Sequence, residues 1–222
     1  MSRIAPTIGP LTIDTVITNI EQLILTPCSE LKEPPPLRGV AIMQDETKLK
    51  PKPMFFKEFN SIGGFCCLHT KAAQVVLSSF TAGLAILNNV QQGRFHYGKE
   101  LNNIVTTCFG EHRIYPLALA PTCKQETAED IIKVYSDLEQ AWRESGAELQ
   151  VGSIWSWPTD GNAIQRAAKH LFLVKYRLSE TSPIYWLLVG LNTLVGDYDM
   201  MDDYDPKHCL KHESQKLVFD IC

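Results

Sequence analysis

The sequence predicts a mixed α/β domain in which one sheet is flanked by helices. Two β-rich runs at 103–109 and 114–120 enclose a short glycine-containing turn and predict a hairpin. Downstream, a helical pattern at 127–145, an apolar run at 149–157 and a second helical pattern at 163–178 follow one another. A hairpin followed by crossover helices is typical of mixed sheets, so we expect an α/β or α+β architecture.

The N-terminal part supplies a helix, a spacer and a first strand. An amphipathic helix is predicted at 11–25 from six apolar residues at helical spacing: Ile13, Val16, Ile17, Ile20, Leu23 and Ile24. Prolines 34–36 follow and predict a rigid spacer, because proline blocks both helix and ladder hydrogen bonds. The apolar run at 37–46 then predicts a strand that ends in two acids, Asp45 and Glu46.

The segment after the first strand predicts an extended pair and a helix. Residues 55–68 favour two extended stretches that turn near Asn60, and residues 70–90 favour a helix capped by Thr70. Near the other end, the apolar run at 184–195 fits either a helix or a buried strand, and residues 196–205 predict an acidic loop. Residues 1–30 and 213–222 are expected to pack least tightly.

Composition narrows the class of protein. The 222 residues are 45% hydrophobic and 21% charged, which excludes a wholly disordered chain. The start of the chain lacks a signal-peptide pattern, no apolar run reaches membrane-spanning length, and seven cysteines without framework spacing favour reduced thiols. We therefore expect an intracellular protein.

Net charge gives little support for a strongly basic nucleic-acid-binding face. The formal net charge is −4, and the acidic excess lies in the C-terminal part of the chain. One local basic stretch, formed by Lys48, Lys50, Lys52 and Lys57, fits either a solvated loop or a phosphate contact.

Two acids stand at the ends of predicted strands. Asp45 ends the first strand, and Asp160 ends the strand that follows the first crossover helix. If the crossover returns the later strand parallel to the first, both carboxylates emerge at one edge of the sheet, where they can hold a divalent cation. The alternative is that each Asp caps the turn or helix that follows it.

A set of short motifs in fixed order resembles a known family. The motifs are Met43-Gln44-Asp45-Glu46, Gly63-Gly64-Phe65-Cys66-Cys67-Leu68-His69, Pro121-Thr122-Cys123-Lys124, Thr159-Asp160-Gly161 and Asp203-Tyr204-Asp205-Pro206-Lys207-His208-Cys209-Leu210-Lys211. Together they look like the ribonuclease-H-like core of a transposase-derived family of fungi, itself similar to P-element-type DDE transposases. The resemblance covers residues 37–212 and implies a five-stranded mixed sheet flanked by helices, incomplete at the C-terminus.

The resemblance implies a chemistry for particular residues. Asp45 and Asp160 correspond to two catalytic acids that hold Mg²⁺ or Mn²⁺ for DNA strand cleavage and transfer. Glu46 should point to the opposite face, where it either supports the site or is simply solvated. His208 and Lys211 match positions that contact phosphate or pack structurally, so DNA is the implied partner and the nucleus the implied location.

Departures from the family pattern predict an inactive remnant. A third acid is required, and the acids after the histidine motif, Glu213 and Asp220, lack recognisable context. The expected organisation is an N-terminal helix and spacer at 1–36, a core at 37–212 with an insertion at about 47–98, and a truncated tail at 213–222. The alternatives are a catalytically dead α/β module that binds protein or nucleic acid, and an unrelated metal-dependent hydrolase.

Cys66-x-x-His69 has the spacing of zinc ligands. A structural zinc needs four ligands, and the sequence offers Cys123, His208, Cys209 and His212 as partners without selecting among them. A buried thiol beside a hydrogen-bonded histidine is the favoured interpretation, so zinc is not expected.

Overall fold

The structure of the chain is a computed structural model that describes residues 13–24, 38–159, 162–182, 185–188 and 192–204. Several residues singled out in the sequence lie outside this part of the chain: Asp160, His208, Cys209, Lys211, His212, Glu213 and Asp220. No helix in the described ranges combines the length and the apolar composition needed to cross a bilayer.

The described part of the chain begins with a helix, and further helices are interspersed among groups of strands. The α-helices are α1 (Ile13–Ile24), α2 (Phe80–Gln91), α3 (Ala128–Glu144), α4 (Ala147–Gln150) and α5 (Ala163–Leu173). The strands are β1 (Gly39–Lys48), β2 (Met54–Phe56), β3 (Ser61–Gly63), β4 (Glu100–Cys108), β5 (Tyr115–Thr122), β6 (Ser153–Thr159), β7 (Tyr176–Arg177), β8 (Leu194–Val195) and β9 (Met201–Tyr204).

The main sheet is mixed, and β1 lies near its centre. The strand order is β5-β4-β1-β6-β9-β8-β7, while β2 and β3 form a separate two-stranded sheet. Strand β1 is antiparallel to β4 and parallel to β6, and β6 is parallel to β9. The described sheet thus has seven strands rather than the predicted five, because the short strands β7 and β8 extend it beyond β9.

The register of β1 and β6 places the end of β6 beside Gln44. Strand β1 continues to Lys48, because it goes on pairing with β4, so Asp45 lies within the strand and does not end it as predicted. Gln44 of β1 lies directly beside Thr159 of β6, and both side chains are buried. Since paired residues of neighbouring strands point to the same face, these two side chains share the face on which the helices pack.

Helices α1, α3 and α5 contribute to one hydrophobic core over this face. The largest fully buried side chains include Trp142 and Tyr135 of α3 and Trp157 of β6. Helix α3 begins with a capping box, in which Thr127 accepts from the backbone N–H of Asp130 and the Asp130 carboxylate accepts from that of Thr127. The capping box and the apolar face together place the aromatic residues of α3 against the sheet.

The expectation that residues 1–30 pack loosely is wrong for α1. Val16, Ile20 and Leu23 are at most 3% exposed and belong to the main core. Asn19 of the same helix donates a hydrogen bond to the carbonyl of Leu117 in β5 at 2.8 Å. The predicted helix is therefore present, but its apolar face is used in the core of the sheet domain. The expectation for residues 213–222 falls outside the described ranges.

The helix predicted at 70–90 is divided. A short 3₁₀ turn covers Ala72–Val75, and α2 begins only after Ser79, whose hydroxyl accepts from the backbone N–H of Ala82. Between them the chain is extended, because Leu77 donates its N–H to the carbonyl of Asn60 at 2.7 Å. Tertiary pairing with the β3 region thus overrides the local helical pattern.

The predicted acidic loop at 196–205 contains strand β9. Asp202 of this strand pairs with Lys169 of α5, whose side chain is fully buried. Its ammonium lies 2.5 Å from the Asp202 carboxylate and also donates to the carbonyl of Asp203. Helix α5 itself ends at Leu173 instead of 178, since the following residues form β7.

Candidate metal centre and the adjoining acidic pocket

Backbone hydrogen bonds bring three distant segments together at the end of β5. The N–H of Cys66 donates to the carbonyl of His96 at 2.7 Å, and the N–H of Cys67 donates to that of Pro121 at 2.9 Å. Gly64 permits the turn into this segment with a φ of 93°, in the left-handed region that favours glycine. The short stretch after β3 is therefore held between the loop after α2 and the edge strand β5.

Two thiols and two imidazoles meet where these segments converge. The Nδ1 atom of His69 lies 3.2 Å from Sγ of Cys66 and 3.4 Å from Sγ of Cys123. The Nδ1 atom of His96 lies 3.4 Å from the same Cys123 sulfur, and the two imidazole rings are 4.7 Å apart between centroids. We call Cys66, His69, His96 and Cys123, together with Glu126, the Cys/His cluster.

Glu126 closes the cluster on the side of α3. Its Oε1 atom accepts from the backbone N–H of Cys123 at 2.5 Å and from the Cys66 thiol at 3.3 Å. The potential ligand atoms of Cys66, His69, Cys123 and Glu126 all lie within 4.8 Å of one another. This spacing is compatible with a single metal ion.

Burial keeps the thiols of this region protonated when no metal is bound. Cys66 and Cys123 are 0% and 2% exposed. Burial raises the pKa of the Cys66 and Cys123 thiols above the ordinary value of a thiol, although neighbouring backbone hydrogen bonds partly oppose the effect. It also raises the pKa of Cys67 to about 12.

Sequence reasoning found three members of the cluster and missed two. The Cys66-x-x-His69 spacing and the candidate partner Cys123 are brought together, whereas the other proposed partners lie outside the described residues. The spacing Cys123-x-x-Glu126 repeats the first motif and could have indicated Glu126. No local signal marks His96, because its proximity arises only from the fold. The group has the spacing of metal ligands, in contrast to the expected pairing of one thiol with one histidine.

An acidic pocket adjoins the cluster through the loop that connects β5 with α3. Glu46, Glu100 and Glu126 line it together with Lys124. The Lys124 ammonium lies 2.5 Å from the Glu100 carboxylate. Burial is the largest single influence and raises the pKa of Glu100. The hydrogen bonds with Lys124 and Glu46, together with the positive charges of Lys124 and Lys48, outweigh burial, so the pKa falls below its ordinary value. Lys124 thus already supplies a positive charge here, and the acid cluster alone does not indicate a cation site.

Asp45 and Glu46 lie on opposite faces of β1. Glu46 is half-buried and accepts from the amide of Gln165 in α5 at 3.0 Å, so it is neither a solvated acid nor close to the Asp45 face. Asp45 is exposed, and its Oδ1 atom accepts from the backbone N–H of Glu46 at 3.0 Å. The face that carries Asp45 is the one opposite α5.

Replacing Glu100 with glutamine is expected to lower the urea midpoint of unfolding at neutral pH, because the charge-assisted bond from Lys124 is lost. A carboxyl whose pKa is depressed by folding stabilises the protein above its unfolded pKa and loses that contribution as pH falls through the folded pKa. The difference between wild type and Glu100→Gln should therefore shrink as pH drops below about 4.5. Exposed Glu58→Gln is the matched control. A difference that is independent of pH would contradict the assigned ion pair.

Comparison with known proteins gives one weak structural similarity. No known family model matches the chain, and no curated protein matches it. A similar solved structure is the Drosophila P element transposase strand transfer complex, with 9% sequence identity and a TM-score of 0.38 over 89% of this chain. The chain spans 42% of the length of that protein. At this TM-score the similarity carries no functional argument.

Proposed function

We propose that this chain is the ribonuclease-H-like core of a DDE transposase lineage, whose ancestral reaction is metal-dependent cleavage and transfer of DNA strands. The observation that supports it best is the register of the central strands. Gln44 and Thr159, which directly precede the two predicted catalytic acids, are paired on adjacent parallel strands.

The same register indicates the face of the sheet to which Asp45 and Asp160 point. Gln44 and Thr159 share the helix-covered face, and Asp45 points to the opposite face. If β6 continues for one more residue, side-chain alternation directs Asp160 to the face of Asp45. The two carboxylates would then lie side by side on neighbouring strands, with Asp45 three positions before the end of β1.

Strand order gives further support. The part of the sheet formed by β5, β4, β1, β6 and β9 has a central strand flanked by one antiparallel hairpin and two parallel strands. The resemblance seen in the sequence implies a five-stranded mixed sheet flanked by helices, and strands β8 and β7 would be an extension of it.

Asp45 fits a role as a Mg²⁺ or Mn²⁺ ligand. It is exposed, and it offers carboxylate oxygens of the kind that these hard cations take together with water. In an active enzyme such ions activate the attacking hydroxyl and stabilise the leaving oxygen of the phosphodiester. Asp45 and Asp160 would hold the cation, and His208 and Lys211 would contact DNA phosphates.

These 222 residues are expected to bind Mn²⁺ weakly and to cleave DNA at least about a hundredfold more slowly than a three-acid enzyme. A missing ligand forfeits several kcal/mol of transition-state stabilisation, and each 1.36 kcal/mol corresponds to about tenfold in rate. The measurements are Mn²⁺ binding by electron paramagnetic resonance, and a nicking and strand-transfer assay.

Matched variants distinguish binding at the proposed site from nonspecific Mn²⁺ binding to surface carboxylates. Asp45→Asn and Asp160→Asn should each reduce Mn²⁺ affinity at least about tenfold, whereas Asp137→Asn on the surface of α3 should leave it unchanged. Equal Mn²⁺ affinity in all three variants would disprove the metal site. Robust cleavage that is lost in Asp160→Asn would contradict the inactive assignment and reveal a third ligand, for which Glu213 is the first residue to test.

A further inference from the structure

We infer that Cys66, His69, His96 and Cys123 bind one zinc ion, which fastens the segment between β1 and β4 to the end of β5. The four side chains come from three places in the fold: the stretch after β3, the loop after α2 and the end of β5. This metal site uses none of the residues that the proposed DNA chemistry requires.

The distances between contacting sulfur and nitrogen atoms are close to those of a tetrahedral zinc site. With Zn–S of about 2.3 Å and Zn–N of about 2.0–2.1 Å, tetrahedral angles place sulfur and nitrogen ligands about 3.6 Å apart. The three measured sulfur-to-nitrogen distances in the Cys/His cluster are 3.2, 3.4 and 3.4 Å. Small outward shifts of the side chains would make room for the ion.

Mutual spacing groups Glu126 with the ligand atoms of Cys66, His69 and Cys123, whereas His96 contacts the Cys123 sulfur. Charge balance nevertheless favours His96 as the fourth ligand. On binding, the two thiols release their protons to solvent, and two thiolates with two neutral imidazoles give an uncharged complex with Zn²⁺. An uncharged complex suits a site whose sulfur atoms are buried. Glu126 already accepts from the backbone N–H of Cys123, which orients that ligand from outside the coordination sphere.

The zinc ion would also hold the backbone of the acidic pocket in place. Cys123 and Glu126 flank Lys124, which adopts a left-handed φ of 64° and holds Glu100. Tethering Cys123 would therefore hold the loop that places Lys124 in this pocket. The ion is structural, since four protein ligands leave no open coordination position for a substrate.

The test begins with the full chain expressed in zinc-supplemented medium and purified without chelator. We expect about one zinc per chain by elemental analysis, and X-ray absorption should show two sulfur atoms at about 2.3 Å and two nitrogen atoms at about 2.0–2.1 Å. Fewer than roughly 0.1 zinc per chain under these conditions would overturn the inference.

Matched variants identify the ligands. Cys66→Ser and His96→Ala should each lower zinc content at least about tenfold, while their controls Cys67→Ser and His112→Ala should retain it. Glu126→Gln should also retain zinc. Loss of zinc in Glu126→Gln together with full zinc in His96→Ala would overturn the proposed ligand set.

A measurement on the wild-type protein tests the site even if the variants do not fold. The metal-free chain is titrated with Co²⁺, and one equivalent should produce the intense visible bands of a tetrahedral ion together with thiolate-to-metal charge transfer. Absence of both signals would contradict the site. The result is independent of the Mn²⁺ experiment, so failure of either proposal can be recognised separately.

Discussion

Replacing Trp157 with alanine is expected to lower the free energy of unfolding by about 3–5 kcal/mol. The side chain is fully buried, and its ring lies 4.8 Å from that of Tyr135 and 6.0 Å from that of Phe172 between centroids. Truncation therefore removes the contacts of this ring with α3 and α5 and leaves a large cavity. Equilibrium urea unfolding measures the change, which is a large share of the 5–15 kcal/mol typical of a domain.

Two controls define what the Trp157 experiment measures. Trp157→Phe keeps a ring in place and removes an indole N–H that has no hydrogen-bond partner among the described residues, so the loss should be about 1.5 kcal/mol or less. Trp186 is 70% exposed, and Trp186→Ala should change stability by about 0.5 kcal/mol or less. Equal losses in Trp157→Ala and Trp186→Ala would show that the core is assigned incorrectly.

Replacing Lys169 with methionine is expected to cost about 3–5 kcal/mol, because it leaves the largely buried Asp202 carboxylate without its counter-charge. The Lys169 side chain is fully buried, and the Asp202 side chain is 13% exposed. The same substitution also removes the hydrogen bond to the backbone of β9. Urea unfolding of the single variant at neutral pH measures the effect.

The double variant Lys169→Met/Asp202→Asn tests whether the unpaired Asp202 charge causes the loss of stability. It should be more stable than Lys169→Met alone, since the uncompensated negative charge is gone. Lys133→Met removes an exposed ion pair with Asp137 and should cost about 0.5 kcal/mol or less. If the double variant loses the sum of two independent single effects, the ion pair does not link α5 to β9.

Local pattern was enough to predict the elements whose apolar residues face the core directly. The pattern in α3 predicts an apolar face of Ile131, Ile132, Tyr135, Leu138 and Trp142. All of these residues are buried except Ile132, which is partly buried against the core. The hairpin of β4 and β5 was also found, because alternation and the intervening turn are local properties. An amphipathic pattern does not say what a helix packs against, which is why the packing of α1 was missed.

The remaining features depend on contacts between distant residues. Strand β9 has the sequence Met-Asp-Asp-Tyr, which has poor strand propensity. It nevertheless pairs with β6, and the lysine that balances the charge of Asp202 comes from α5. In the candidate metal site, His69 and Cys123 are 54 positions apart, and His96 and Cys123 are 27 apart. Spacing along the chain cannot bring such residues together without the fold.

The central position of β1 has a consequence for the kinetics of folding. Val40 pairs with Cys108 on one side and with Ile154 on the other, about 70 and about 110 positions further along the chain. Closing such long loops costs conformational entropy before the strand contacts can compensate for it. The β4–β5 hairpin and α3, by contrast, form from residues that are close along the chain. We therefore expect β1 to pair with β4 and β6 late in folding, and this pairing step should determine the refolding rate.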